Sequence, residues 1–167
     1  TTDGGRQLNH GGGDPHNYSV EWVGYFYTRS DSRAGTLEKW SFFIDSDDAA
    51  YLWLGEAAKG NGSNIANYTP QNALVDNGGL HPPVSARGWN NPVNLQANTF
   101  YPVRIQFGEN YGGHTLVVGF QKEGKDRVYN GYNYYYSNGN NPMDNSDPNP
   151  QYKNTGLYFK MYNGYFG

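Results

Sequence analysis

The sequence predicts an all-β fold, an antiparallel β-sandwich with long loops, and three observations carry that expectation. Aromatic residues are dense, with 16 Tyr, 8 Phe and 4 Trp, and they are punctuated by 23 Gly and 9 Pro. That composition suits short pleated segments joined by turns. The Ala-, Leu-, Glu- and Lys-rich runs that favour long helices are scarce. Finally, roughly eight segments alternate apolar and polar residues between turn clusters, the spacing expected of a sandwich. At 167 residues the chain fits one domain, large enough to bury about two thirds of its unfolded surface.

Taken in order, residues 1–17 (TTDGGRQLNHGGGDPHN) have no apolar period and read as a flexible lead-in or a loop docked on the body. His10 and His16 within it read as solvated side chains rather than metal ligands. A single domain is expected over 18–167. YSVEWVGYFY (18–27) alternates as a strand, and TRSDSRAG breaks it. LEKWSFFID (37–45) places Trp40, Phe42 and Ile44 on one face. SDD is a sharp turn, and AAYLWLG (49–55) then sends Tyr51 and Trp53 one way, Leu52 and Leu54 the other. From Glu56 to Asn98 the chain reads mostly as loop, with a helical turn at EAAK, a short strand near NALVD and turn clusters GGLHPP and GWNNP. Long connections of this kind often carry binding residues.

TFYPVRIQF (99–107) reads as a strand whose Pro102 implies an edge or a bulge, with Arg104 in a structural ion pair. After the tight loop ENYGGH, TLVVGFQK (115–122) is expected to return beside it as a hairpin. EGKD turns the chain, RVYNGYNYYYSNG forms an aromatic strand, PMDNSDPNP makes an excursion, and GLYFKMYNGYF closes with a final strand. Tyr132, Tyr134, Tyr135 and Tyr136 are expected to divide between core and interface rather than form a stacking platform.

Several function classes fit poorly. The net charge is −3, and the 12 basic residues are scattered, which argues against a nucleic-acid partner. No apolar run approaches the ~20 residues of a membrane helix, so no membrane insertion is expected. The chain does not open on a basic-then-apolar leader, but maturation could have removed one, so this does not place the protein inside a cell. Cysteine is absent, so thiolate metal sites and cysteine nucleophiles are excluded, and a core this large needs no disulfide. Sequons at Asn17, Asn61 and Asn67 read as chance products of an Asn-rich chain. No serine sits in a nucleophile elbow. A glycosidase needs two carboxylates about 5–10 Å apart on opposite sides of a bond, which adjacent acids supply badly. An enzyme is not expected.

Ser46-Asp47-Asp48, set between two apolar strands, is the constellation with chemistry. Adjacent carboxylates repel unless a cation lies between them. Neighbouring side chains of an extended chain point to opposite faces, so both reach one ion only if the backbone turns sharply, as a cis peptide bond would allow. The plainer reading is a solvated surface pair, or a turn closed by side-chain-to-backbone hydrogen bonds. The candidate ligands are all oxygens: Asp47, Asp48, then Glu109 or Asn110, with carbonyls of a glycine-bearing loop. Ca²⁺ takes 6–8 such oxygens in flexible geometry, leaving positions that a sugar's neighbouring hydroxyls can fill.

FIDSDDAAYLWLGEAA, followed further along by FYPVRIQFGENYGGHTLVVGF, resembles the protective-antigen-fourteen domain superfamily, in particular its GLEYA and flocculin-like adhesin branch. The resemblance runs from about Val20 to Ser137. It implies a β-sandwich that holds glycans through calcium, with Asp47 and Asp48, joined by a cis peptide, as the first binding loop. The second loop of that family supplies an Asn side chain and alternating carbonyls. Here GENYGGH (108–114) corresponds, with Glu109 at the Asn position and the carbonyls of Tyr111 and Gly113. A shift by one makes Asn110 the side-chain ligand and moves the carbonyls to Gly112 and His114. Gly112 and His114 are also candidate sugar contacts, with plain solvation the alternative for His114, and Trp89 with His81 is a candidate stacking wall, with packing over the core the alternative for Trp89.

The function so implied is a calcium-dependent lectin or adhesin module. Its expected setting is extracellular, on a cell surface or a virion, where it binds glycans with vicinal hydroxyls and has possible neighbouring subunits. The missing cysteines point to a bacterial adhesin or a viral surface protein rather than a yeast flocculin. The alternative is a structural or assembly domain of a virion appendage or fibrillar surface protein whose calcium only stabilises a loop. A weaker third is a non-catalytic module attached to a carbohydrate-active enzyme.

Overall fold

Alternating segments become strands wherever a second sheet covers their apolar face, and the chain does this twice over. The computed structural model describes residues 2–3, 6–7, 16–59, 67–85, 92–129, 131, 133–137 and 156–166. Its elements are β1 (Thr2–Asp3), β2 (Arg6–Gln7), β3 (Tyr18–Tyr27), β4 (Leu37–Asp47), β5 (Ala50–Leu54) and the single helical turn α1 (Glu56–Lys59). A 3-10 turn (Pro70–Asn72), β6 (Val75–Asn77), β7 (Val84–Ser85) and β8 (Val93–Gln96) follow. β9 (Phe100–Glu109), β10 (Thr115–Lys122), β11 (Tyr135–Tyr136) and β12 (Tyr158–Asn163) complete the described chain.

The fold is the antiparallel sandwich that the sequence predicts. The larger sheet runs β6-β5-β9-β3, with β11 and β12 sharing the far side of β3. The smaller sheet centres on β4, flanked by β10 on one side and by β7 and β8 on the other. Apart from these, β1 and β2 pair only with each other.

The expected faces hold. Trp40, Phe42 and Ile44 are buried between the sheets with Val20, Phe26, Leu52, Phe107 and Phe120, and Leu54 packs against them. Tyr51 and Trp53 point to the opposite face, where they form a second cluster with Ala49 and Ala58. Phe26 is the hub, its ring 5.6 Å from Trp40, 5.0 Å from Phe42, 4.9 Å from Phe120 and 5.5 Å from Tyr135, all near edge-to-face. Such pairs are worth about 0.5–1.5 kcal/mol each beyond burial. That draws Tyr134 and Tyr135 onto the core, as expected of part of this run, while Tyr136 is buried beside Tyr27 and Phe100; Tyr132 lies outside the described residues.

Four expectations are corrected. The segments 99–107 and 115–122 do not form a hairpin: β9 lies between β3 and β5 in the larger sheet, whereas β10 pairs β4 in the smaller one. The loop between them therefore crosses the sandwich. The SDD corner does the same, since β4 and β5 also lie in different sheets. Pro102 sits in a central strand, opposite Tyr25. It is tolerated because β5 pairs only as far as Val103, and beyond that point Gly55 N–H donates to the Pro102 carbonyl, at 2.8 Å. Among its described residues, the expected aromatic strand holds only the two residues of β11 and an isolated Val128–Phe120 bridge. Conversely, β7 and β8 lie within the stretch read as loop.

Arg104 makes the structural pair expected of it, with Glu21, the two side chains 12% and 8% exposed. Its guanidinium also lies 4.0 Å over the Tyr68 ring. No helix among the described residues is long and apolar enough to cross a membrane, which says nothing of strands.

Candidate metal and ligand site

Two strands from opposite sheets end side by side. Asp47 closes β4 opposite Thr115, the first residue of β10. Glu109 closes β9 opposite Tyr18. Both crossovers, 48–49 and 110–114, therefore leave the sheets at one end of the sandwich.

A crossover strands backbone N–H groups away from any ladder, and these need other acceptors. The Asp48 carboxylate, 5% exposed, serves as one. Its Oδ2 accepts from the Asn110 N–H at 3.0 Å and its Oδ1 from the His81 N–H at 3.2 Å. It thereby ties the second loop and the HPP turn to the acidic corner. The Asp47–Asp48 peptide bond is cis. Ser46, the third member of the motif, is fully buried, and its Oγ accepts from Asn77 Nδ2 at 2.7 Å, so it serves the scaffold.

One carboxylate oxygen from each of Asp47, Asp48 and Glu109 lies within 4.8 Å of the others. Glu109 is 0% exposed. Burial first, and then the charge of Asp48, push the Asp47 carboxyl above the ordinary aspartate range, and His81 and His114 only partly offset them. Three acids gathered out of water repel one another, and an ion between them reverses the sign of the interaction. The donors are hard oxygens only, with no thiol in the chain. This set fits calcium.

The other anticipated residues that the structure describes gather around the same corner. Gly113 lies against Asp47, where a Cβ built on it would stand 3.7 Å from Asp47 Oδ2. Gly112 takes φ +106°, a conformation that favours glycine. Asn110 is held by its backbone on both sides, its N–H on Asp48 and its carbonyl accepting from Asn17 N–H at 3.0 Å. Tyr111 is 77% exposed and stacks on His16, ring centres 4.4 Å apart. His16 is half-buried and so is not the solvated residue expected. His114 is half-buried close to Asp47. Trp89 lies outside the described residues, as do His10 and Asn61. His81 meets the site through its backbone, while its ring nitrogens lie 2.9 Å from the Pro82 carbonyl and 3.1 Å from that of Asn77.

Sequence reasoning missed Tyr165. Burial first, then the charges of Asp48, Tyr51 and Glu109, hold its hydroxyl above the ordinary tyrosine range. No local pattern could have announced it, because Tyr165 lies far along the chain from these acids.

A family model described as the GLEYA domain matches residues 18–122. No curated protein matches the chain. Among solved structures, it is similar to the epithelial adhesin 6 A domain (Epa6A) from Candida glabrata in complex with Galb1-3GlcNAc. That likeness has 16% identity and a TM-score of 0.44, over 86% of this chain and 56% of that one. It is also similar to the epithelial adhesin 9 A domain (Epa9A) from Candida glabrata, in complex with the same glycan. There the identity is 19% and the TM-score 0.41, over 72% of this chain and 52% of that one. The chain thus spans little more than half the length of either.

Proposed function

Because the chain belongs to the GLEYA domain family, we propose that it is a calcium-dependent carbohydrate-binding module of a surface adhesin, a binder rather than a catalyst. The observation that carries this reading is the convergence of Asp47, Asp48 and Glu109 beside a loop with two glycines. The three carboxylates would hold the ion. Carbonyls of the 110–114 loop (Tyr111 and Gly113, or Gly112 and His114) would complete the protein's share. When bound, calcium supplies coordination positions that the vicinal hydroxyls of a sugar can take. The Asp carboxylates would accept hydrogen bonds from those same hydroxyls, and His114, half-buried near Asp47, would contact the ring; Trp89 stays a proposed sugar contact on the sequence alone. Kinship with the wider protective-antigen-fourteen superfamily, and display outside a cell, belong to the same reading.

Affinity for one sugar is expected to be weak, and repeated display would multiply it. A glycan array probed in calcium and again in EDTA tests this, alongside an Asp47→Ala/Asp48→Ala variant. Binding should vanish in both controls. Undiminished binding in EDTA would end the proposal.

One observation favours a second reading, an assembly domain whose calcium only stiffens the loop. The outer strand β12 presents Tyr158, Phe159 and Tyr162 at 66%, 45% and 47% exposure. Aromatic residues are enriched at protein interfaces relative to the rest of the surface. A blank array together with concentration-dependent association through β12 would favour it.

A further inference from the structure

We infer that residues outside the matched family segment, His16–Asn17 at one end and Gly164–Phe166 at the other, form a clasp that positions the second loop and with it Glu109. This deepens the calcium reading and rests on it only for the identity of the ion.

The contacts form a closed chain. Asn17 adopts φ +57°, and that left-handed turn aims its N–H at the Asn110 carbonyl, 3.0 Å away. On the opposite side its backbone carbonyl accepts from Gly164 N–H at 2.8 Å, and its side-chain Oδ1 accepts from Tyr165 N–H at 2.8 Å. Ser19 Oγ donates to the Gly164 carbonyl at 2.6 Å and accepts from Phe166 N–H at 3.1 Å. Preceding these, His16 stacks on Tyr111 and its Nδ1 accepts from Gly112 N–H at 3.3 Å. The loop is thus gripped at Asn110, Tyr111 and Gly112, directly after Glu109.

The sequence makes room for the tail at one point. Ser19 pairs with Gly108 across the β3–β9 ladder. A Cβ built on Gly108 would stand 2.4 Å from the Phe166 carbonyl oxygen and 3.1 Å from the Tyr165 ring. Only glycine lets the tail cross flat over the residue preceding Glu109. Side-chain hydrogen bonds to three backbone groups of 164–166, together with a glycine under their path, fix that segment over the end of β9. They act on the loop because the loop's own carbonyl and N–H are in the network.

Glu109 approaches the two aspartates against their repulsion, and a loop free to swing would let it retreat. Restricting that freedom before the ion arrives lowers the ordering cost of binding. His16, Asn17 and Ser19 are therefore positioning residues, and none of them is placed as a ligand.

The test uses the whole chain, with Ser19→Ala (two bonds removed), Gly108→Ala (tail displaced) and Tyr158→Ala as a control elsewhere on β12. Amide exchange at 110–112 is measured in EDTA, and calcium affinity by titration calorimetry. Loosened loops should exchange about tenfold faster in the first two variants and not in the control. Calcium affinity should fall about 5- to 10-fold in the same two, within the usual range of coupling between sites. A purely structural role would lower the melting temperature equally with and without calcium, leaving exchange at 110–112 and affinity as in the wild type, and would overturn the clasp. If the wild type itself takes up no calcium, the functional reading fails. Exchange in EDTA still decides the clasp in that case: faster exchange upholds it and unchanged exchange overturns it. Should Gly108→Ala fail to fold, Ser19→Ala carries the decision alone.

Discussion

Glu21 and Glu109 lie on adjacent strands of the larger sheet, 6% and 0% exposed, yet the fold treats them in opposite ways. Glu21 is matched from within. Arg104 pairs with it across the β3–β9 ladder, the Tyr162 hydroxyl donates to it at 2.8 Å, and Lys160 Nζ stands 3.7 Å away. Glu109 converges instead with two further acids. A buried carboxylate beside a guanidinium is a closed arrangement, whereas on the calcium reading proposed above three acids together would be completed by a cation from solution. On that reading the first is architecture and the second is a site, and exposure alone would not separate them.

The sharpest way to break this contrast is Arg104→Met. It strands a buried charge, and about 3–5 kcal/mol of stability should go. Thermal unfolding should show the same loss in calcium and in EDTA. A loss confined to EDTA would mean that Glu21 and Glu109 are not independent.

Asp47→Asn should do the reverse. In EDTA the variant should match or exceed the wild type in melting temperature, because a like charge beside Asp48 is gone. Added calcium should then give none of the gain expected for a bound ion, about 2.7 kcal/mol at a hundredfold excess over Kd. An equal calcium gain in wild type and variant would remove Asp47 from the site.

A half-buried acid, Glu38, sharpens the comparison through pH. Burial raises its pKa, but hydrogen bonds from Lys122, Ser30 and Ser32 and the Lys122 charge outweigh this, so the net shift is downward. A lowered folded pKa means stability that is present above the ordinary glutamate range and lost as pH falls through the lowered value. Glu38→Gln should therefore flatten that part of the acid limb of the stability curve, by about 1–2 kcal/mol at neutral pH. An acid limb unchanged from the wild type would count against the network.

The smallest effect belongs to Lys39–Glu123, 3.3 Å apart with side chains 48% and 69% exposed. Glu123→Gln should change stability by less than about 1 kcal/mol, and salt should erase even that. A larger change in chemical denaturation would show that exposure misjudges these pairs.

Much of this was legible before any coordinates. Tyr51 and Trp53 facing away from Leu52 and Leu54 follows from the pleat alone, and Trp40, Phe42 and Ile44 share a face for the same reason. The Asp47–Asp48 corner stood out because acids interrupt two apolar runs. β8 was not legible, since VNLQ buries only Leu95 fully and becomes a strand by pairing along β4. The β9–β10 hairpin misled for a related reason. A short glycine loop between alternating segments suits a hairpin, and equally suits a crossing between sheets.

What the amino-acid order determined by itself is the alternation of faces, the corner with its two acids, and a glycine-rich loop with an acid at its start. These follow from local geometry, a period of two and the conformations open to each residue. Which strands pair, and therefore that Glu109 meets Asp47 and Asp48 while Glu21 meets Arg104, was decided only in three dimensions. Each strand must bury its apolar face against the other sheet, and this packing carries residues far apart in the chain to one end of the sandwich.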